Sequence, residues 1–346
     1  MDIRNANIGI IGSTGAVGVE ALKLLSEIAH PADKIHLFAS ERSKGKKVPY
    51  LNSELTVKTS SDESFKEIDV GLISVSSEVS KELAPQIVKN GGVVIDDGSA
   101  YRMEKNVPLV VPEINETDLE FHEGIISIPN CTTTPLVMVI DAINSISKVG
   151  KVVVSTYQAV SGTGKEAVNE LINQQSGDQS TNVYDFPIAN NIFPHVDDFM
   201  PDGFTKEEHK MINESKKILH DNEIEIIPTC VRVPVKIGHS ESLTITLKEE
   251  ISLEDIKKVV SEYSGITLLN QSDEIPYPMP LFAEGKKDVF VGRIRKSLNN
   301  SKELNLWLSC DNLIKGAAYN ALQTVSYTHL RAHETDSYLV CRLLLE

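Results

Sequence analysis

Ile8-Gly-Ile-Ile-Gly12-Ser-Thr-Gly15-Ala-Val-Gly18, close to the start of the chain, is the stretch that decides the fold. An apolar strand runs directly into a glycine turn, and Val19-Glu-Ala-Leu-Lys-Leu-Leu-Ser-Glu-Ile28 then has the spacing of an amphipathic helix. Strand, glycine turn and helix in that order build the phosphate-binding corner of a dinucleotide fold. Glycine lets the backbone approach a pyrophosphate, which rests on the helix N-terminus. A tight turn also needs glycine for its own sake, so the flanking elements must carry the weight.

They do so outward along the chain. Ile35-His-Leu-Phe38, Val70-Gly-Leu-Ile-Ser-Val75, Val93-Val-Ile95, Leu109-Val-Val111 and Ile125-Ile-Ser-Ile128 read as strands, with helical stretches such as Lys81–Lys89 between them. Alternation of this kind implies an α/β, mostly parallel, doubly wound sheet. After the second strand, NAD enzymes place an acidic residue for the ribose hydroxyls. This chain reads Ala39-Ser-Glu41-Arg42-Ser43-Lys-Gly-Lys-Lys47. Arg42 and Ser43 suit a 2′-phosphate, because guanidinium meets phosphate through paired charge-assisted bonds, and NADP is favoured. Glu41 could hold a ribose hydroxyl if it pointed inward, and a purely solvated loop is the other reading.

The whole chain narrows the function. Its 346 residues allow two domains, and its net charge of −15 comes with no basic block, which argues against nucleic acid. The first residues lack the apolar core of a signal peptide, and no apolar run approaches membrane-spanning length. Cys131, Cys230, Cys310 and Cys341 lie far apart and show no metal-ligand spacing. Reduced thiols in a cytoplasmic enzyme without a metal are the simplest expectation.

Cys131 stands apart from the other three. It lies in Ser127-Ile-Pro-Asn-Cys131-Thr-Thr-Thr-Pro135, after an apolar strand and before the helix-like stretch Pro135–Ile143. A thiol there feels the positive end of the helix dipole, which favours thiolate and suits a nucleophile; the alternative is a small buried hydrophobe. Val152–Tyr157 reads as a strand, and Gln158-Ala-Val-Ser161-Gly162-Thr-Gly164 at its end could orient a carbonyl and admit a nicotinamide ring, or be a plain turn. Ile224–Pro234 is a further strand candidate that contains Arg232, and His239 follows a turn-permitting glycine. Arginine can hold a carboxylate and histidine can shuttle a proton near neutral pH, although a surface arginine and a structural histidine are the ordinary alternatives. Thr205 with Glu208 forms a capping box, which puts Glu207 and Lys210 on one face of a helix, as a functional or merely solvated pair. Glu241–Leu247, Val289–Val291 and Leu304–Leu308 alternate like a half-covered antiparallel sheet, and Ser252 with Asp255 opens a helix running to about Tyr263. The second domain therefore reads as α+β.

Together these runs resemble the bacterial aspartate-β-semialdehyde dehydrogenase family, within the wider glyceraldehyde-3-phosphate dehydrogenase fold group. The matching segments are residues 12–18, 129–133, 155–162, 230–235, Gly-His-Ser-Glu at 238–241, Tyr-Pro-Met-Pro at 277–280, 291–295 and Asp-Asn-Leu-Ile-Lys-Gly-Ala-Ala at 311–318. The resemblance implies a Rossmann-type NADP-binding domain at 1–131, completed by a returning helix at 312–323, and a catalytic and dimerisation domain at 132–311. It implies that Cys131 forms a thioester with His239 as acid/base partner, while Gln158 orients the acyl group. Arg232 would bind the substrate carboxylate, Glu207 its amine, and Arg102 with Lys210 its phosphate. Gly12, Thr14, Gly15, Ala16, Val17, Arg42, Ser43, Ser161, Gly162 and Asn312 would line the NADP site. The implied reaction is NADPH-dependent reduction of L-aspartyl-4-phosphate to the semialdehyde, on the way to diaminopimelate, lysine, threonine, methionine and isoleucine. A cytoplasmic homodimer or dimer of dimers goes with it. N-acetyl-γ-glutamyl-phosphate reductase and a non-catalytic NADP-binding regulator are the rival readings. Glu207 separates the reductase from the dehydrogenase reading, because a free amine wants a carboxylate and an acetamide does not.

Departures from the family pattern are modest. Thr132 replaces a serine, and residues 175–205 look shorter than in many relatives, which bears on the dimer-contacting surface. From about Thr324 the likeness stops. Val325-Ser-Tyr-Thr-His-Leu-Arg-Ala-His-Glu-Thr335 reads as a translated transposon-type sequencing adapter, with a native apolar helix as the alternative. On the adapter reading, His329, His333 and Cys341 have no function and the last native helix is truncated.

Overall fold

The computed structural model describes residues 5–327. Two compact units emerge: one ends at Pro129 and resumes at Ala318, and the other spans Asn130–Ala317.

The first unit contains β1 (Ile8–Ile11), α1 (Ala16–Glu27), β2 (Ile35–Ala39), β3 (Lys47–Tyr50), β4 (Ser53–Thr59), β5 (Val70–Ile73), α2 (Ser77–Lys89), β6 (Val93–Asp96), α3 (Pro112–Asn115) and β7 (Ile125–Ser127). Its sheet has the order β3-β4-β2-β1-β5-β6-β7, parallel throughout except for the β3–β4 pair. β1 lies between β2 and β5 and is buried at all four positions, which is why it reads as an unbroken apolar run. Three expectations change. α1 starts at Ala16, inside the glycine run, because Gly15 serves as the N-cap. Leu109–Val111 makes only a bridge from Leu109 to Ser127. Proline flanks it on both sides, and Pro112 opens α3 where its missing N–H costs nothing. The β3–β4 hairpin has no counterpart in the sequence reading, since both strands are largely exposed and Pro49 interrupts one of them.

The second unit contains α4 (Thr133–Asn144), β8 (Val149–Tyr157), α5 (Lys165–Gln175), α6 (Lys206–Ile218), β9 (Glu225–Thr229), β10 (His239–Leu247), α7 (Leu253–Glu262), β11 (Ile266–Leu269), α8 (Pro280–Ala283), β12 (Val289–Lys296) and β13 (Glu303–Cys310). The sheet order is β11-β12-β13-β10-β8-β9. Its centre is antiparallel, but β9 on β8 and β11 on β12 are parallel, so the sheet is mixed rather than antiparallel. Both edge strands are joined to their neighbours by connections that carry helices, as parallel pairs require. On β10, His239, Glu241, Leu243, Ile245 and Leu247 are buried while Ser242, Thr244 and Thr246 are half-buried, so the odd positions face the core. The strand read at Ile224–Pro234 stops at Thr229, because Glu208 Oε1 takes the Cys230 N–H at 3.0 Å.

No helix begins at Asn312. Asp311 Oδ1 accepts the N–H groups of Leu313 (2.9 Å) and Ile314 (3.2 Å), and a π-turn then covers Ile314–Ala318. Residues 319–327 follow as an α-helix in the first unit, where Asn320 Nδ2 donates to Val110 O at 3.0 Å. Thr324 to Tyr327 continue that helix, whereas His329, His333, Cys341 and the rest of the tail lie outside the described residues.

Candidate active site

Cys131 is half-buried at the entrance to α4, and the residue before it fixes its surroundings. Asn130 donates from its backbone N–H to Glu214 Oε2 (2.7 Å) and from Nδ2 to Glu207 Oε1 (3.1 Å). Its Oδ1 accepts from the backbone N–H (2.9 Å) and hydroxyl (2.6 Å) of Thr132. On another side lies Gly316 of the π-turn, where a Cβ would stand 2.8 Å from the Cys131 Cβ.

His239 opens β10 directly after Gly238, whose φ of 93° only glycine adopts readily. Its Nε2 lies 3.3 Å from Cys131 Sγ, and its Nδ1 accepts the Ala159 N–H at 3.0 Å. A ring nitrogen that accepts from an amide carries no proton, so the neutral ring holds its proton on Nε2, facing the sulfur. Burial, and then the Arg232 charge, keep the imidazole well below its usual pKa. At neutral pH the ring is thus an uncharged N–H donor to sulfur, where the sequence suggested a group titrating near neutrality. Both features come from tertiary packing.

Gln158, at the end of β8, is buried, with Oε1 accepting from Thr156 Oγ1 (3.0 Å) and Nε2 donating to Glu207 Oε1 (2.9 Å). Glu207 also accepts from Lys210 Nζ through Oε2 at 3.0 Å. Burial by itself would raise this carboxyl. The Lys210 charge, hydrogen bonds from Gln158 and Lys210, and the Arg232 charge outweigh it and hold the group ionised. Lys210 donates in addition to Asp197 Oδ2 (2.8 Å); burial works against its charge, but the two carboxylates raise its pKa. Arg232 is buried, and its Nη1 donates to Ala159 O at 2.7 Å. A Cβ on Gly162 would lie 3.0 Å from that Nη1 and 3.2 Å from His239 Nε2, so this position keeps the space beside both groups open. Ser161 Oγ and the Gly238 N–H both bond Asn312 Oδ1 (3.1 and 2.9 Å).

The second unit thus brings Cys131, Gln158, Ser161, Gly162, Glu207, Lys210, Arg232, His239 and Asn312 into one connected constellation. Asn130, Thr156, Glu214 and Gly316 belong to it and were not singled out in the sequence. Glu214 was detectable, being two turns beyond Glu207 on α6, Asn130 is the immediate neighbour of Cys131, and Gly316 lies within the matching segment 311–318. Glu241, two residues past His239 on the same face of β10, is fully buried, with no hydrogen-bond partner for either oxygen among the described residues, and burial pushes its pKa well up. Burial likewise pushes up the thiols of Cys230 and Cys310, which sets them apart from a nucleophile.

The remaining predicted residues lie in the first unit. Gly12 has φ 90°, and a Cβ there would meet Ser74 O at 2.2 Å; one on Gly18 would meet Gly12 O at 2.5 Å. Gly15 caps α1 without a side chain, so the first-turn N–H groups near Thr14, Ala16 and Val17 are left for a ligand. These features fit a dinucleotide pyrophosphate. Arg42 is exposed and Ser43 half-buried on the turn after β2, and the exposed Glu41 pairs with Lys44 at 3.5 Å. Arg102 is buried, donating to Ile128 O (2.9 Å) and Asp97 O (2.6 Å). Burial pushes the neighbouring Asp97 up to about 7, against the Arg102 charge and a Ser74 hydrogen bond.

A thiol paired with a histidine, on a chain that also carries a nucleotide corner, fits one class: an oxidoreductase using a nicotinamide dinucleotide. Residues 7–122 match the semialdehyde dehydrogenase NAD binding domain, and residues 141–315 match the semialdehyde dehydrogenase dimerisation domain. The aspartate-semialdehyde dehydrogenase of Bacillus subtilis is 44% identical over 337 residues, with 92% of this chain and 96% of that one covered. That of Aquifex aeolicus is 46% identical, with 91% and 96% covered. Among solved structures, aspartate semialdehyde dehydrogenase II of Vibrio cholerae, complexed with ASA, superposes with a TM-score of 0.89 at 36% identity, with 93% and 97% covered. The chain belongs to the aspartate-semialdehyde dehydrogenase family, and it is an oxidoreductase of amino-acid biosynthesis.

Proposed function

We propose that the chain reduces L-aspartyl-4-phosphate to L-aspartate 4-semialdehyde with NADPH, through a thioester on Cys131. The observation that carries the mechanism is the Sγ–Nε2 distance of 3.3 Å together with the Ala159 N–H on Nδ1. The Nε2–H stabilises negative charge on sulfur, and the thiolate attacks the acyl carbon. Phosphate leaves and a thioester forms, which splits one hard step into two easier ones. When bound, the nicotinamide supplies a hydride to the thioester carbon. The resulting oxyanion is stabilised by a hydrogen bond from Nε2–H until it collapses to the aldehyde, the C–S bond breaks and the thiolate returns.

The binding roles follow from the same chemistry. Arg232 offers a buried guanidinium to the substrate carboxylate. Glu207 Oε2, which accepts from Lys210 Nζ, keeps a second acceptor position for the amine, and Gln158 orients the acyl group. Lys210 and Arg102 hold phosphate. Gly12, Thr14, Gly15, Ala16 and Val17 meet the cofactor pyrophosphate, and Ser161, Gly162 and Asn312 face its nicotinamide end. Arg42, which has no ion pair among the described residues, and Ser43 take the 2′-phosphate, while Lys44 occupies Glu41. The functional domains are 1–131 with 312–323 for NADP and 132–311 for catalysis and dimerisation, in a cytoplasmic homodimer or dimer of dimers. Residues from about 324 onward we assign to adapter-derived sequence; a genomic contig that continues in frame into them would overturn this.

The decisive assay follows NADP reduction with aspartate semialdehyde and inorganic phosphate. Turnover should require phosphate and fall on the order of 100-fold with N-acetylglutamate semialdehyde, whose acetamide leaves Glu207 unpaired. Equal rates with the two aldehydes, or turnover indifferent to phosphate, would refute the reading.

A further inference from the structure

Away from Cys131, a cleft of ≈ 510 Å³ opens where α7, the end of β11 and β12 meet, within the size range of small-molecule sites. Lys257, Arg293 and Arg295 line it, with Leu268 and Ile294 as apolar floor. In a chain of net charge −15, no acidic side chain among the described residues lines this cleft. Among the described residues no carboxylate forms an ion pair with any of the three cations. The nearby Asp273 carboxylate is committed to the Asn270 N–H of its own turn at 2.6 Å.

The backbone is shaped at the same place. Gly292 pairs with Trp307 and Arg295 with Asn305, so Arg293 and Ile294 together face the single Leu306. This is a β-bulge, a device that re-aims side chains. Arg293 takes φ 58° within it, a left-handed conformation unfavourable for a residue with a Cβ. Arg295 Nη1 donates back to Arg293 O at 2.9 Å and ties the two arginines together. Two guanidinium forks beside an ammonium match an anion with more than one oxyanion group.

We propose that this cleft binds a small multivalent oxyanion, a polyphosphate or polycarboxylate metabolite, at a site that shares no residue with the catalytic constellation. The molecule carries its own reporter. Arg293 and Arg295 also line an adjoining hollow of ≈ 330 Å³ with Trp307, the only tryptophan in the chain.

The full chain is titrated with pyrophosphate and, separately, citrate at constant ionic strength while Trp307 fluorescence is followed. A saturable change is expected with at least one of them and none with potassium chloride; which one acts distinguishes phosphate from carboxylate chemistry. Arg293→Ala and Arg295→Ala should each weaken binding on the order of tenfold, whereas Lys210→Ala, in the substrate constellation, should leave it unchanged. If an alanine variant fails to fold, Arg293→Lys and Arg295→Lys, which keep charge but lose the fork, should still weaken it. No saturable change, a change abolished by Lys210→Ala, or a change insensitive to both arginines would overturn the site. So would a fluorescence change that tracks only dimer formation in sedimentation. Because the readout is not turnover, its failure leaves the proposed reaction untouched.

Discussion

α1 and α4 both begin shortly after a strand ends, and their N-termini are built in opposite ways. At α1 the start is stripped of side chains: Gly15 offers no cap, and Gly12 and Gly18 leave no room for a Cβ. Only backbone donors remain, which an anionic ligand can reach. At α4 the start is crowded. Asn130 alone bonds Glu207, Glu214 and Thr132, and Gly316 closes against Cys131. The contrast shows that one helix-start geometry can be left bare, with backbone donors open, or filled, with a side chain held in place.

The crowded start gives the largest expected effect. Cys131→Ala should lower turnover by on the order of 10⁴-fold or more in the phosphate-dependent assay. NADPH affinity by calorimetry should stay within about twofold, because the bare corner is unaltered. Turnover that survives would mean the crowded start fixes no nucleophile. Gly18→Ala attacks the bare start, since its Cβ would lie 2.5 Å from Gly12 O and 2.7 Å from Ser13 Cα, both backbone atoms that must move. NADPH should bind roughly 100-fold more weakly, while iodoacetamide labelling of Cys131 continues at its original rate. Unchanged affinity would place the nucleotide elsewhere. Gly316→Ala is the subtler counterpart. A Cβ 2.8 Å from that of Cys131 is closer than real Cβ atoms come, so one of the two must shift and kcat should fall roughly tenfold. NADPH affinity should hold, and a normal kcat would show that Gly316 does not position the sulfur.

How much of this was legible in the sequence follows from the same contrast. The bare start is local: β1, its glycines and α1 lie within twenty consecutive residues, and burial on both faces gives β1 an unmistakable apolar run. The crowded start is assembled from distant segments. Cys131, Gln158, Arg232 and His239 could be named from their motifs, but their connections could not. The Asn130–Glu214 bond spans 84 positions, and the tautomer of His239 depends on Ala159, 80 positions away. Exposed strands β3 and β4 lack the hydrophobic signature that marks a buried strand. The parallel edges of the second sheet were hidden because strand direction is set by crossovers, not by side-chain alternation.

The smallest expected effect tests a third kind of helix start. Ser252 caps α7 by accepting the Asp255 N–H at 3.0 Å and donating to Asp255 Oδ2 at 2.6 Å. This end is neither bare nor packed around a reactive group; an exposed side chain satisfies its donor. Ser252→Ala leaves that N–H to water and should cost about 1 kcal/mol. In a chain of this size the melting temperature should drop by about 2–4 °C. Steady-state kinetics with both substrates should be unaltered, because α7 contributes no residue to the catalytic constellation. A change in kcat at the same loss of stability would show that a helix start cannot be sorted by what satisfies its donors. An unaltered kcat would confine the consequence of this start to stability.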